Sequence, residues 1–287
     1  MLSVATSATA AADTAAAAAG IEMRLLTDVA DLNEVYRLFD GVWHADPDGA
    51  AVTPNMLRAL SKAGNYVAGA YDSTGMLGAC VGFFAAPGRR ELHSHVAAVT
   101  GAARGRSVGR AMKLHQRAWA LSHGVTTVSW TFDPLISRNA YFNVVKLGGD
   151  PVQYLPDFYG RMADAINGDD ATDRLLLRWD LTAAHVEEAA RGVRPEWNVA
   201  ALGCTGAVTG LDRSPAGEPV PGTLDGDTIL VAVPPDVESL RRTDPACARR
   251  WRVALRDVLS PLLDAGARVR GFDRTGWYVL VREGEQR

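Results

Sequence analysis

Residues 92–123 constrain the fold more than any other part of the chain. Leu92–Thr100 reads as a β-strand in which His93 and His95 stand two residues apart. A short turn rich in Arg and Gly follows, Gly101-Ala-Ala-Arg-Gly-Arg-Ser107, and a helical run continues to His123, ahead of Gly124. Gly at that position suits a helix end. A strand that passes through a tight turn straight into a helix aims consecutive backbone N–H groups at one point, and the helix dipole adds partial positive charge there. Such a turn suits an anionic ligand, typically a pyrophosphate. The two His side chains leave the preceding strand on one face.

The flanking segments supply the rest of an α/β pattern. Residues 21–27 predict a first strand, and Asp28 or Asp31 can open an amphipathic helix through Trp43. Thr53-Pro54 is a helix-start signal. Tyr66–Tyr71 and Met76–Phe84 are apolar runs joined by Asp-Ser-Thr-Gly, which predicts a hairpin. Thr126–Phe132 reads as a strand that Asp133-Pro134 breaks, Ser137–Leu147 as a short helix stopped by Gly148, and Arg174–Leu181 as a further strand. Strand, helix, helix, three strands, helix, strand, helix, strand predicts a mixed α/β sheet with the phosphate turn near its middle.

Outside residues 21–181 the texture changes. Residues 1–20 are almost all Ala, Thr and Ser; with no large apolar face to dock, and neither the basic start nor the apolar middle of a signal peptide, they read as a disordered leader. Residues 182–227 carry Gly, Pro and Asp without a sustained period and read as an irregular linker. Residues 228–287 read as a β-α-β-β extension, with strands at Thr228–Val233, Ala267–Phe272 and Trp277–Arg282 and a helix over Pro245–Ala265.

Composition excludes several classes. The formal net charge of −3 gives no support to a nucleic-acid partner. Arg249, Arg250, Arg252 and Arg256 cluster on the C-terminal helix, but interleaved Asp244 and Asp257 favour an amphipathic cover helix. Three Cys with no CxxC pair argue against a disulfide framework and fit a reducing cytoplasm. No apolar run reaches the length of a membrane span.

The order of elements over residues 21–181, with Arg104-Gly105-Arg106-Ser107-Val108-Gly109 in the place of an Arg/Gln-x-x-Gly-x-Gly/Ala loop, resembles the GNAT superfamily of acyl-CoA-dependent acyltransferases. Ser107 departs from the loop's first Gly. Leu-His-Ser-His, Trp-Thr-Phe-Asp-Pro-Leu and Arg-Asn-Ala-Tyr-Phe-Asn look like a poorly characterised bacterial subgroup. The resemblance implies a GNAT-like fold and an acyl-CoA co-substrate, acetyl-CoA by default and succinyl-CoA as a larger option, with no metal. It places the pantetheine arm along Val96–Val99, which includes Ala97, and the pyrophosphate on amides from Arg104 to Gly109. Arg104, Arg106 and Arg110 are either added phosphate contacts or a solvated helix start.

His93-Ser-His-Val-Ala-Ala-Val is similar to the paired-His strand of arylalkylamine N-acetyltransferases, which makes His93 and His95 candidate bases for an acceptor amine. A primary amine is mostly ammonium at neutral pH, so a base is useful, and His has the appropriate reference pKa. The family's Tyr-x-x-x-Gly acid would fall at Val144, so that residue is missing; Tyr141, Asn143, Tyr154 and Tyr159 lie near, each with packing as the competing role. Asn139 and Arg138 are weaker cofactor or carboxylate candidates. Trp43, His44, Asp46 and Asp48 belong to a loop that often covers the acceptor site in the superfamily. Either Trp130 and Phe132 or Thr131 would line the acyl pocket. Cys80 has no partner spacing that argues for an acyl-enzyme.

These residues lead to a cytoplasmic N-acyltransferase acting by direct transfer on a small amine or amino acid, with no nucleic acid or membrane partner. A non-catalytic acyl-CoA sensor and an O-acyltransferase are the alternatives. The C-terminal extension could extend the sheet, lid the acceptor site or form a homodimer contact.

Overall fold

The computed structural model describes residues 2–43, 52–160 and 170–282. In chain order the first elements are α1 (Leu2–Ala19), β1 (Glu22–Leu25), α2 (Val29–Trp43), α3 (Pro54–Lys62), β2 (Tyr66–Asp72), β3 (Gly75–Phe84), β4 (Glu91–Val99) and α4 (Val108–Ser122). There follow β5 (Thr127–Phe132), α5 (Ser137–Ala140), a π-helical turn (Tyr141–Lys146), β6 (Asp150–Leu155), β7 (Arg174–Asp180), α6 (Ala184–Ala190) and α7 (Val199–Cys204). The chain ends with β8 (Val208–Arg213), β9 (Pro219–Pro221), β10 (Thr228–Ala232), α8 (Val237–Thr243), α9 (Pro245–Asp264), β11 (Arg268–Asp273) and β12 (Trp277–Val281). Two compact units form: one reaches Trp130 and takes in Trp179–Arg191, and the other holds Thr131 to Arg178 and everything from Gly192. The division falls inside β5 and β7.

In the first unit the strands lie in the order β1-β2-β3-β4-β5, antiparallel except for the parallel pair β4–β5. β2 and β3 are apolar almost throughout because helices cover both faces. On one face Leu32, Val35 and Phe39 of α2 and Leu57 of α3 pack with Val67, Val81, Val96 and Ala98. Trp43 packs at the edge of this cluster, its ring 5.7 Å from Phe39. On the other face α4 sits so close that a Cβ on Gly78 would meet Met112 Sδ at 2.7 Å. Thr53 caps α3, accepting from the Met56 N–H, and Asp72 Oδ1 accepts from the Thr74 N–H in the β2–β3 turn.

The leader is ordered, contrary to the sequence reading. α1 packs along α4 through Ala8, Ala12, Ala15 and Ala19, all buried. Their spacings of four, three and four put them on one stripe. Side chains this small let two helices approach closely, so dispersion between backbones replaces the large apolar face that the sequence lacks. Arg106 donates to the Ala19 and Gly20 carbonyls at the end of α1, and Ser7 Oγ donates to Glu187.

The second unit carries the β6–β7 antiparallel pair and a five-stranded sheet ordered β11-β12-β10-β8-β9, in which only β10–β8 is parallel. The chain is therefore mixed α/β with its C-terminal strands in a separate sheet. Residues 182–227 are not irregular: they hold α6, α7, β8 and β9. These elements are three to seven residues long, too short to display a period, and Pro219 and Pro221 bound an edge strand. α8, too, precedes the expected helix of the extension.

α9 is a cover helix, and two of its arginines, Arg252 and Arg256, pair internally. Arg252 forks onto Asp133 (2.8 and 2.9 Å), which also accepts from Arg241 (2.5 Å), and both arginines reach Asp170. Arg256 forks onto Asp173, which also accepts from Tyr154 Oη and the Asp157 N–H. Burial alone would push the Asp133 carboxyl up; Arg252 and then Arg241 outweigh it and hold it well below the carboxylate range. Arg249 and Arg250 face solvent, the latter paired with Glu218.

Candidate functional site

The histidine strand is bent and parted at one place. β4 pairs with β5 only through Glu91, Leu92 and His93, opposite Thr127, Val128 and Ser129, although β4 runs on to Val99. On its other edge Gly82 pairs with Ser94 and Val81 with Val96, leaving His95 as the extra residue of a β-bulge. The bulge shifts the side-chain alternation. Ser94 faces α4, whereas Val96 and Ala98 join the α2 core.

The structure brings His93 and His95 together. Their rings lie 6.2 Å apart and share Phe83, at 5.2 and 5.8 Å, and all three are half-buried. Phe83 stands opposite His93 in the β3–β4 register. Burial, then the neighbouring His95 and Lys113, push the His93 pKa below its ordinary 6.5. His93 is therefore neutral at pH 7, the form that accepts a proton.

Beneath the parting lies a buried lysine that sequence reasoning did not single out. Lys113 Nζ donates to Ser94 Oγ (2.8 Å) and Gln116 Oε1 (3.0 Å) and lies 3.7 Å from the Trp130 ring centre. Ser94 and Trp130 are the residues that follow the last paired position on β4 and β5, so one side chain of α4 holds both strands where they separate. Burial pushes its pKa down to about 8. The available signal was a Lys and a Gln on the inward face of a helix. Trp130 is itself buried, edge-on to Trp179. Cys80 lies against Ser94 and Gln116 with its thiol pushed up by burial, an environment that disfavours the thiolate.

The turn after β4 presents unpaired amides. The N–H groups of Arg104 and Arg106 are used internally, on Gly101 and Ala103 carbonyls. Those of Gly105, Ser107, Val108 and Gly109 have no acceptor among the described residues. Ser107 is left-handed, φ +60, and its side chain makes no capping bond. It adopts the conformation that the missing Gly would favour. Ser107→Gly is accordingly expected to raise stability by about 1 kcal/mol, read by urea denaturation. Arg106 is held by Asp72 and the end of α1, and Arg110 donates to the Ala189 and Ala190 carbonyls of α6. Arg104 is exposed.

The remaining candidates belong to the second unit. Tyr141 Oη accepts from Arg274 Nε (3.0 Å). Tyr154 is buried and donates to Asp173, and burial pushes its pKa far up. Tyr159 is exposed near Arg174 and meets Thr131 Oγ1, while Phe132 and Asn143 are buried. Arg138 forks onto Glu238, and Asn139 is half-buried. His44, Asp46 and Asp48 lie outside the described residues. No helix among the described residues is long and apolar enough to cross a membrane.

No protein-family model and no curated protein matches the chain. Among solved structures it is similar to a ribosomal-protein-alanine N-acetyltransferase from Escherichia coli, at 14% identity and TM-score 0.45 over 57% of this chain and 96% of that one. It is similar to a ribosomal-protein-alanine N-acetyltransferase from Brucella melitensis, at 15% identity and TM-score 0.46 over 55% and 98%. An N-acetyltransferase from Staphylococcus aureus Mu50 matches at 15% identity and TM-score 0.43 over 56% and 99%. Within this chain, the order of elements from β1 to β7 and the turn from β4 into α4 are those on which the resemblance to the GNAT superfamily rests.

Proposed function

We propose that the protein is an acyl-CoA-dependent N-acyltransferase that passes an acetyl or other short acyl group directly to a small amine or amino acid. The observation that carries this reading is the set of unpaired amides at Gly105, Ser107, Val108 and Gly109, at the end of a strand that has parted from its neighbour. Unpaired N–H groups at a helix start suit the diphosphate of coenzyme A. The parted edge of β4, Val96–Val99, offers backbone groups to the pantetheine arm and an N–H toward the thioester oxygen, where one such donor is worth roughly 3–4 kcal/mol of barrier.

His93 and His95 then take the ammonium proton so that the free amine attacks the thioester carbonyl; the carbon–sulfur bond breaks, coenzyme A leaves as the thiolate, and the attacking nitrogen gives up its second proton to solvent or to that thiolate. Neutral His93 serves this role at pH 7. Because its pKa is lowered, the acid limb of kcat/KM should fall below pH 6.5, measured with an acceptor that does not titrate in that range. A limb above 6.5 would contradict the assignment.

The reading is tested by incubating the purified protein with acetyl-CoA and a panel of small amines and amino acids while following free thiol. Acceptor-dependent thiol release is the expected result. Acetyl-CoA binding without turnover across the panel would instead make the protein a sensor.

A further inference from the structure

Within the acyl-transfer reading above, on which this rests, we infer that Lys113 is a positioning residue for the transfer. By holding Ser94 of β4 and Trp130 of β5 it fixes the parting of the two strands, and with it the aim of the histidine pair.

His93 and Ser129 are the last residues that pair across β4 and β5, and Ser94 and Trp130 come next on the two strands. Across the parting both meet one ammonium, which lies 2.8 Å from Ser94 Oγ and 3.7 Å from the centre of the Trp130 ring. Gln116 Oε1 accepts a further hydrogen, and Gln116 Nε2 and Ser94 Oγ both lie against Cys80 Sγ. These contacts occupy the three N–H bonds of an ammonium, so the position of Lys113 is fixed. Ser94 is the residue between His93 and His95, and the bulge at His95 follows it. A shift of Ser94 therefore moves both imidazoles and the Val96–Val99 edge beyond them.

Packing alone does not call for a lysine here. The groups around it from β3, β4, β5 and α4 are Cys80, Ser94, Trp130 and Gln116, and no carboxylate pairs with it among the described residues. A buried charge without a counter-charge costs free energy that an apolar side chain of the same length does not. Methionine would fill the space, but it could not tie Ser94 to Trp130. The charge also reaches the pair. After burial, His95 and then Lys113 push the His93 pKa down, while Glu91, which accepts from Ser129, opposes them. Lys113 thus helps to keep His93 neutral.

The test compares the full-length parent with Lys113→Met and Ser94→Ala, each first checked for an unchanged circular dichroism spectrum. The readouts are kcat with acetyl-CoA and an accepted amine, and the titration of the His93 ring by NMR. Both substitutions should lower kcat by about tenfold to a hundredfold, the effect of misplacing reacting groups. Coenzyme A affinity at the Gly105–Gly109 turn should stay as in the parent. The double variant should fall no further than the slower single variant, because the two residues act as one unit. The His93 midpoint should rise in Lys113→Met and stay in place in Ser94→Ala, which keeps the charge; a residue that only fills space would move neither. If Lys113→Met loses the parent spectrum, kcat of Ser94→Ala decides alone. A parent that turns over no amine overturns the acyl-transfer reading and this role with it. An active parent matched in kcat by either variant, or an unmoved His93 midpoint in Lys113→Met, overturns this role alone.

Discussion

Asp133→Ala is expected to lower the unfolding free energy by about 3–5 kcal/mol, the cost of leaving buried charge without its partner. Arg252 and Arg241, both with side chains at most 8% exposed, would lose the carboxylate that neutralises them. Asp170 remains, but it gives them only one oxygen, Oδ2, and its Oδ1 has no partner. Arg250→Ala on the same helix is the control: its pair with Glu218 is exposed and screened by solvent, and its loss should leave the urea midpoint close to that of the parent. The effect has a pH signature. Since the fold lowers the Asp133 pKa from 3.8, its contribution is complete above that value and disappears as pH falls toward the folded pKa. Urea midpoints of parent and variant should therefore differ most at neutral pH and converge in acid. Equal midpoints at pH 7 would show that the network does not hold the second unit together.

The histidine pair carries the largest expected effect on rate. His95→Ala should lower turnover at least about tenfold, and the double change with His93→Ala by roughly 10²–10⁴, the range of general-base catalysis. Neither residue belongs to the turn at Gly105–Gly109, so coenzyme A affinity should stay as in the parent. A loss of both affinity and rate would mean that the pair shapes the strand instead of moving a proton. An unaltered rate in the double variant would remove both as bases.

What could be read from the chain was whatever is local. Strand, turn and helix between Leu92 and His123 announce themselves by alternation, by Gly105 and by Gly124. The His93–His95 face follows from the period of two. Three features were hidden for physical reasons. The docking of α1 depends on how closely alanines let two backbones approach, and hydropathy does not register that. The bulge at His95 is a property of the pairing with β3, where one strand carries an extra residue. Asp133 and Arg252 stand 119 residues apart, so nothing near either one marks the pair. The π-helical turn at Tyr141–Lys146 occupies what reads as plain helix, and it sets Tyr141 beside Arg274.

Isothermal titration with acetyl-CoA tests the central claim most directly. The account predicts one-site binding by the parent and loss of about a hundredfold or more in affinity in Gly109→Glu, where a carboxylate would meet the diphosphate at the head of α4. A side chain there has room, since its Cβ would find only Val99 Cγ1 at 3.9 Å, so the variant should fold as the parent does. No heat with the parent protein, or an affinity left intact by Gly109→Glu, would contradict it.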